Sequence, residues 1–181
     1  MCFLGGKMSK GGKNERDVAK FLTKWLTGEK KPYMFWRQDA SGGLATVHAE
    51  NTHLTGDITY LHPDAKFFTD IFSIECKTGY PSTSFWQHFT KVKFGLEDFW
   101  LQALNDAEKS SKNPMLIYRK KGRKWIVGIN STVYKKLMFL LLDFNSVTVK
   151  WGEDIEECIL YDLESFFTIT PQQIKDRLWQ H

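Results

Sequence analysis

Apolar residues recur at helical spacing between Asn14 and Thr27, where Val18, Ala19, Phe21, Leu22, Trp25 and Leu26 share one side, and Gly28 follows as a stop. Beyond a loop at Lys30-Lys31-Pro32, Tyr33 to Arg37 predicts a strand. Ile58, Thr59 and Tyr60 are β-prone, His62-Pro63-Asp64 predicts a turn, and Asp70 to Lys77 predicts a further strand. Together these predict a hairpin with a loop. Leu96 to Ser111 predicts a helix, with Glu97 and Asp98 in its first turn and a stripe of Leu96, Trp100, Ala103, Leu104 and Ala107. Met115 to Arg119 and Lys124 to Asn130 predict strands joined by Lys120-Lys121-Gly122-Arg123. Then come a helix over Thr132 to Leu142, strands over Ser146 to Trp151 and Cys158 to Tyr161, and a last helix through Trp179 capped by Thr170-Pro171. The order α-β-β-β-α-β-β, with strands clustered before the second helix, predicts the α/β class: a mixed central sheet flanked by helices. Residues 9–130 form the expected core and 131–181 a C-terminal elaboration packed on it.

At 181 residues, 42% hydrophobic, with 14 Phe and 7 Trp, the chain can bury one sizeable core. Cys2, Cys76 and Cys158 are far apart and odd in number, which predicts free thiols in a reducing cytoplasm. Residues 1–8 read as a disordered leader, too short in apolar run for a signal peptide or membrane span, with Met8 a candidate alternative start. The net charge of +4 conceals zones. Lys and Arg outnumber Asp and Glu 9 to 3 over residues 1–37 and 8 to 0 over 111–136, but are outnumbered 5 to 10 over 38–110 and 3 to 8 over 137–181. Two basic zones flanking an acidic middle suit a polyanion drawn toward a cation-filled pocket; solvated surface is the plainer account.

The acidic middle holds the chemistry. In the strand ending at Lys77, a period of two puts Phe72, Ile74 and Cys76 on one face and Ser73, Glu75 and Lys77 on the other. Asp57 opens the preceding strand. Two carboxylates on adjacent strands can hold a hard divalent cation such as Mg2+, and a lysine two residues past the second can position or deprotonate a water for attack on a phosphodiester. Glu-x-Lys is expected about once by chance at this composition, and a second copy stands at Glu29-Lys30-Lys31 in a polar turn. A solvated strand face with an incidental ion pair is the alternative.

Further residues join this set. Glu15 precedes Val18, Ala19 and Leu22 by three, four and seven residues, so its carboxylate lies on the apolar helix face and needs a metal, a metal-bound water or a cation. Otherwise it is first-turn charge, like Asp17. Asp39-Ala40-Ser41-Gly42-Gly43 is a polar, glycine-rich loop whose backbone can approach a phosphate closely. His48, Glu50 and His53 have a spacing that fits neither one helix face nor one strand face, which disfavours zinc and favours a loop over the site. Residues 78–93 alternate aromatics with hydroxyls and lysines, suited either to a nucleic-acid groove or to core packing. Lys120, Lys121 and Arg123 make the basic turn the best phosphate-tracking element.

Taken in order, Gly12 to Asp17, Arg37 with Ser41-Gly42-Gly43, Gly56-Asp57-Ile58, Ile74-Glu75-Cys76-Lys77, Phe99 to Gln102 and Asn113 to Arg119 resemble the PD-(D/E)XK nuclease superfamily. Within it the chain is similar to the Holliday-junction-resolvase-like endonucleases of archaea and phages. Gly56 stands where the superfamily's name has Pro. The resemblance implies a restriction-endonuclease-like core and a Mg2+- or Mn2+-dependent endodeoxyribonuclease that cuts in line with a 3′-OH leaving. Asp57, Glu75 and the Cys76 carbonyl would ligate the metal, Glu15 would hold a second metal or its water, and Lys77 would position the attacking water. Lys13, Arg37, Ser41, Gly42 and Gln102 become substrate-contact candidates, although the helical wheel makes Gln102 a surface residue. DNA, with four-way junctions as the form the resemblance favours, is the expected partner, and a homodimer the expected assembly, in the cytoplasm of a cell or of a phage's host. Rivals are a general, repair or flap nuclease of the same fold and a catalytically silent DNA-binding module.

Overall fold

The computed structural model describes residues 10–30, 32–38, 55–79 and 95–179. Helix α1 spans Lys10–Thr27 and buries Val18, Ala19 and Leu22, as the periodicity requires. It ends where Gly28 adopts φ +76° and its N–H closes on the Lys24 carbonyl at 2.7 Å. Strands β1 (Phe35–Arg37) and β2 (Ile58–Tyr60) pair antiparallel, with Arg37 opposite Ile58, in a two-stranded sheet.

The expected hairpin of residues 57–77 does not form. A 3-10 turn at Pro63–Ala65, capped by His62, leads into helix α2 (Lys66–Ile71), and β3 begins only at Phe72 and runs to Thr78. The reason lies in the aromatic run: Phe67, Phe68 and Ile71, spaced i, i+1, i+4, all bury together on a helical turn, which an extended chain could not achieve on one face. Strand β3 then pairs not with β2 but in parallel with β4 (Asn113–Arg119), Glu75 opposite Leu116. Only one of the three strands before the second long helix therefore enters the main sheet.

That sheet has five strands in the order β3-β4-β5-β7-β6, with β5 at Ile126–Ile129, β6 at Ser146–Val149 and β7 at Cys158–Asp162. All pairs but β3–β4 are antiparallel, so it is a mixed sheet, as the α/β reading expects. Helices α3 (Gly95–Lys109), α4 (Ser131–Leu141), α5 (Leu163–Phe166) and α6 (Pro171–Leu178) flank it, α6 opening on a Thr170–Gln173 capping box.

Both faces of β3 are covered. Phe72, Ile74 and Cys76 join the larger core with α1, α2 and α6, while Leu116 and Tyr118 of β4 form a smaller core with Leu96, Phe99, Trp100 and Ala103 of α3. Each fully buried large side chain contributes about 1.5–3 kcal/mol, so this sandwich is stiff around β3. Residues after 131 belong to the same body: they supply two strands of the sheet, and Trp25 of α1 donates from Nε1 to the Ile169 carbonyl at 2.8 Å. Cys76 and Cys158 are free and buried, and burial raises both thiols.

Candidate active site

The site forms where the start of β2 meets the edge of β3 opposite β4. Gly56 makes the approach: its φ is +86°, and a Cβ there would lie 2.7 Å from the Ile74 nitrogen and 2.8 Å from the Ile74 oxygen. Proline, locked near φ about −65°, could not take this conformation, so glycine at this point is a requirement of the backbone. The Asp57 N–H then donates to the Ile74 carbonyl at 2.7 Å, and the Asp57 carboxylate accepts from the Cys76 N–H at 2.8 Å. In a strand, the N–H and C=O of one residue face the same edge, so the Cys76 carbonyl shares the edge that Asp57 occupies.

Glu75 points to the α3 side of β3 and is 2% exposed; Asp57 is 9% exposed. Lys77 forms an ion pair with Glu75 Oε1 and lies 6.0 Å from the centre of the Phe99 ring. Glu75 Oε1 is fully buried, with the Lys77 ammonium as its partner. Burial pushes the Glu75 carboxyl up to about 7, and the neighbouring Asp57 charge adds to the rise against the pull of Lys77. Burial also raises Asp57, opposed by its bond to the Cys76 N–H and by Lys77. Two buried carboxylates thus repel one another beside the Lys77 ammonium.

Glu15 completes the acidic set from α1. Because the helix starts at Lys10, Glu15 lies beyond its first turn, which removes the helix-terminus account of its charge. Its side chain is 15% exposed and stands 4.0 Å from Arg37, and its carboxyl is raised by burial and then by Asp57. Two residues escaped the sequence reading. Asn14 donates from Nδ2 to the Thr78 hydroxyl, tying the start of α1 to the end of β3. Asp106 of α3 bears on both Asp57 and Glu75, raising each. Its only signal was its place three residues after Ala103 and seven after Phe99, on the rim of the buried stripe.

The remaining substrate-contact candidates surround this set unevenly. Lys13 is exposed on α1, Gln102 exposed on α3, Lys121 and Arg123 exposed in the β4–β5 turn, and Lys120 half-buried. Thr78 and Gly79, directly after Lys77, line a cleft of about 330 Å3 with Arg119, Lys121 and Arg123. The basic turn therefore abuts the strand that carries the acids. Ser41, Gly42, the His48-Glu50-His53 group, residues 80–93 and Cys2 lie outside the described residues.

A family described as "Phage putative PDDEXK endonuclease" matches residues 6–176. The chain belongs to that family. No curated protein and no solved structure matches it. Membership places the chain among the PD-(D/E)XK nucleases and agrees with the mixed sheet flanked by helices described above.

Nucleases of this kind typically depend on a divalent metal, and the donor set can be tested for one. Among the described residues no three His, Cys, Asp or Glu side chains already stand as a cluster. Mg2+, however, commonly takes one or two carboxylates and completes its octahedron with water and phosphate oxygens. Asp57 and Glu75, hard oxygen donors whose buried carboxyls are both raised, Glu75 in part by the charge of Asp57, fit that requirement. Among the described residues no helix is long and apolar enough to cross a membrane.

Proposed function

We propose that the protein is a Mg2+- or Mn2+-dependent endodeoxyribonuclease acting on branched DNA such as four-way junctions. The observation that carries the metal-dependent reading is the buried Asp57–Glu75 pair, whose mutual repulsion the Lys77 ammonium does not offset. A bound divalent cation supplies Lewis-acid stabilisation of charge on the phosphate and acidifies a water. Asp57 and Glu75, with the Cys76 carbonyl, would hold it. The Cys76 N–H fixes the Asp57 carboxylate in place. Lys77, held by Glu75, orients the attacking water with its N–H groups. Glu15, with Arg37 beside it, would hold a second ion or its water. Lys121, Arg123 and Arg119, around the cleft at Thr78, receive the flanking phosphates, and Lys13, Ser41, Gly42, Gln102 and Lys120 are further contacts.

The branched preference is supported by the resemblance to junction resolvases. Two opposed strands must be cut, so the reading includes a homodimer. Phe139, Leu142 and Val147 are exposed large apolar side chains on and after α4, which suits self-association.

The test is cleavage of a labelled four-way junction beside its linear arms in Mg2+, Mn2+ or EDTA. Metal-dependent cutting of the junction in preference to the duplex is expected, and Glu75→Ala abolishes it. Cutting of flaps or duplex ends instead leaves a nuclease with another substrate. DNA binding without metal-dependent cutting indicates a silent module.

A further inference from the structure

Helix α4 buries its inner side in the ordinary way: Val133, Leu137 and Leu141 enter the larger core, where the helix packs on β7 and α6. The outer side of such a surface helix should be polar. It carries instead Phe139, 71% exposed, and three residues on Leu142, 66% exposed, the two most exposed large apolar side chains among the described residues. Thr132, Lys135, Lys136, Phe139, Leu142 and Asp143 are all exposed. Their spacings of three and four residues gather them into one face about 120° wide, with Phe139 near its middle. Bare apolar side chains one turn apart mark a contact surface.

Three observations select a second copy of this chain as its occupant. First, the face is self-complementary in charge. It begins with Lys135 and Lys136 and ends with Asp143, just past the carbonyl end of the helix, where the macrodipole is also negative. Laid antiparallel on itself about a two-fold axis at Phe139, the face sets Lys136 of one copy against Asp143 of the other. Counted along the helix, these two residues lie about 4.5 and 6 Å from Phe139, so their heights match to about 1.5 Å, and both stand on the same flank of the face. On the other flank the aliphatic stem of Lys135 covers Leu142 of the partner subunit. The symmetry makes each contact twice, whereas a parallel pairing would set lysine against lysine. Second, these charges are not spent within the chain: among the described residues Lys135, Lys136 and Asp143 make no ion pair. Third, the place suits assembly. α4 packs on β7, the fourth strand counted from β3, about 14 Å across the sheet, and on the face away from Glu75. Pairing there leaves the acid-bearing edge of β3 open in both copies.

We infer that the outer face of α4 is a homodimer interface, two copies packing antiparallel with Phe139 against its counterpart and Lys136 against Asp143. As the assembly of a nuclease that cuts two opposed strands, the inference rests on the proposed function. As a surface, it can be read with neither DNA nor metal. A single helix pair falls below the roughly 1,200 Å2 of a standard interface, so the dimer is a weak one, with a Kd on the order of micromolar.

The experiment is sedimentation equilibrium of the whole chain in EDTA without DNA, from about 1 to 100 µM, in about 0.1 M salt. A monomer–dimer equilibrium is expected. Phe139→Glu should weaken it about 30-fold or more. Asp143→Lys and Lys136→Asp should each weaken self-association about tenfold, because each sets like charges opposite one another. Mixed together, these two variants should form a heterodimer about as tight as the unaltered dimer, since both ion pairs are then restored, and the double variant should self-associate again. That recovery also shows that the single variants are folded. Val147→Glu, on the outermost strand β6, should leave the dimer intact. A monomer throughout the range, a dimer indifferent to Phe139→Glu, or a dimer dissociated by Val147→Glu alone overturns the interface. A mixture that gains no dimer overturns the antiparallel pairing. Metal-dependent cleavage is measured separately with Glu75→Ala as its control, so a failed interface leaves the nuclease standing and a failed nuclease leaves the sedimentation readable.

Discussion

Two lysine–carboxylate pairs sit close together in the chain, one just before β3 and one within it, and they behave differently. Lys66 and Asp70 are one helical turn apart on α2, 2.6 Å between charges, with side chains 53% and 35% exposed. Their contact raises the Lys66 ammonium, an ordinary exposed i, i+4 pair. Glu75 and Lys77 are two residues apart on a strand, with side chains 3% and 20% exposed. There the ammonium fails to keep the carboxyl acidic, because burial and a second carboxylate outweigh it. Pairing alone does not make a site; burial of an excess of one sign of charge does.

The sharpest way to break this contrast is Glu75→Gln. Removal of a metal-holding carboxylate should lower cleavage by about 10³-fold or more. Removal of the buried charge should at the same time stabilise the metal-free protein at pH 8 by roughly 1–3 kcal/mol, seen as a higher melting temperature in EDTA. A lower melting temperature would mean that the ion pair with Lys77 outweighs desolvation, and the two pairs would differ only in degree.

Next in size is Gly56→Ala. A β-carbon in the left-handed region, 2.7 Å from the backbone of β3, should cost about 3 kcal/mol or more and draw Asp57 away from the Cys76 N–H. Gly28→Ala, at φ +76° with nothing within 4 Å of the new carbon, should cost only about 1 kcal/mol. Equal losses in urea denaturation would show that backbone strain alone, rather than the close approach to β3, dictates glycine at residue 56.

Much of this was legible in the sequence because local pattern and tertiary demand agree. The stripe of α1, the Gly28 stop, the alternation of Phe72 to Lys77 and the Thr170-Pro171 cap are signals within one element, and each element formed within a few residues of its expected place. The partner of β3 was not legible, since strand pairing is decided by residues far apart in the chain. The expected hairpin gave way to α2 because Phe67, Phe68 and Ile71 bury together, and β4, about 40 residues on, took the place beside β3. In the same way Glu75 and Lys77 could be named from their spacing, but Asn14 and Asp106 join them only once α1 and α3 have docked on β3.

The pH dependence sharpens the contrast further. The Glu75 carboxyl titrates near 4.5 in the unfolded chain and at about 7 in the folded one. Its raised value means that the protonated form favours the fold, so this stabilisation is complete below pH about 4.5 and is lost as the pH rises through about 7. Asp57 and Glu15 are raised too and act in the same direction. In EDTA, stability should therefore fall between those limits by an amount on the order of 3 kcal/mol for Glu75. Glu75→Gln should flatten the profile, and Mg2+ or Mn2+ at pH 8 should restore the lost stability by binding the ionised pair. A flat profile in the unaltered protein would contradict the picture of crowded, buried carboxylates.

The smallest effect belongs to the exposed pair. A double-mutant cycle of Lys66→Gln and Asp70→Asn, read by urea denaturation, should give a coupling of about 0.3–0.5 kcal/mol. Water competes for both groups, and holding two mobile side chains together costs entropy. In about 1 M salt the coupling should nearly vanish, because the screening length falls to about 3 Å. The same cycle on Glu75 and Lys77 should change little with salt, since counterions do not reach a carboxylate whose side chain is 3% exposed. If the α2 pair instead proved strong and indifferent to salt, exposure would not be what separates the two, and the acidity of Glu75 would have to be traced to Asp57 alone.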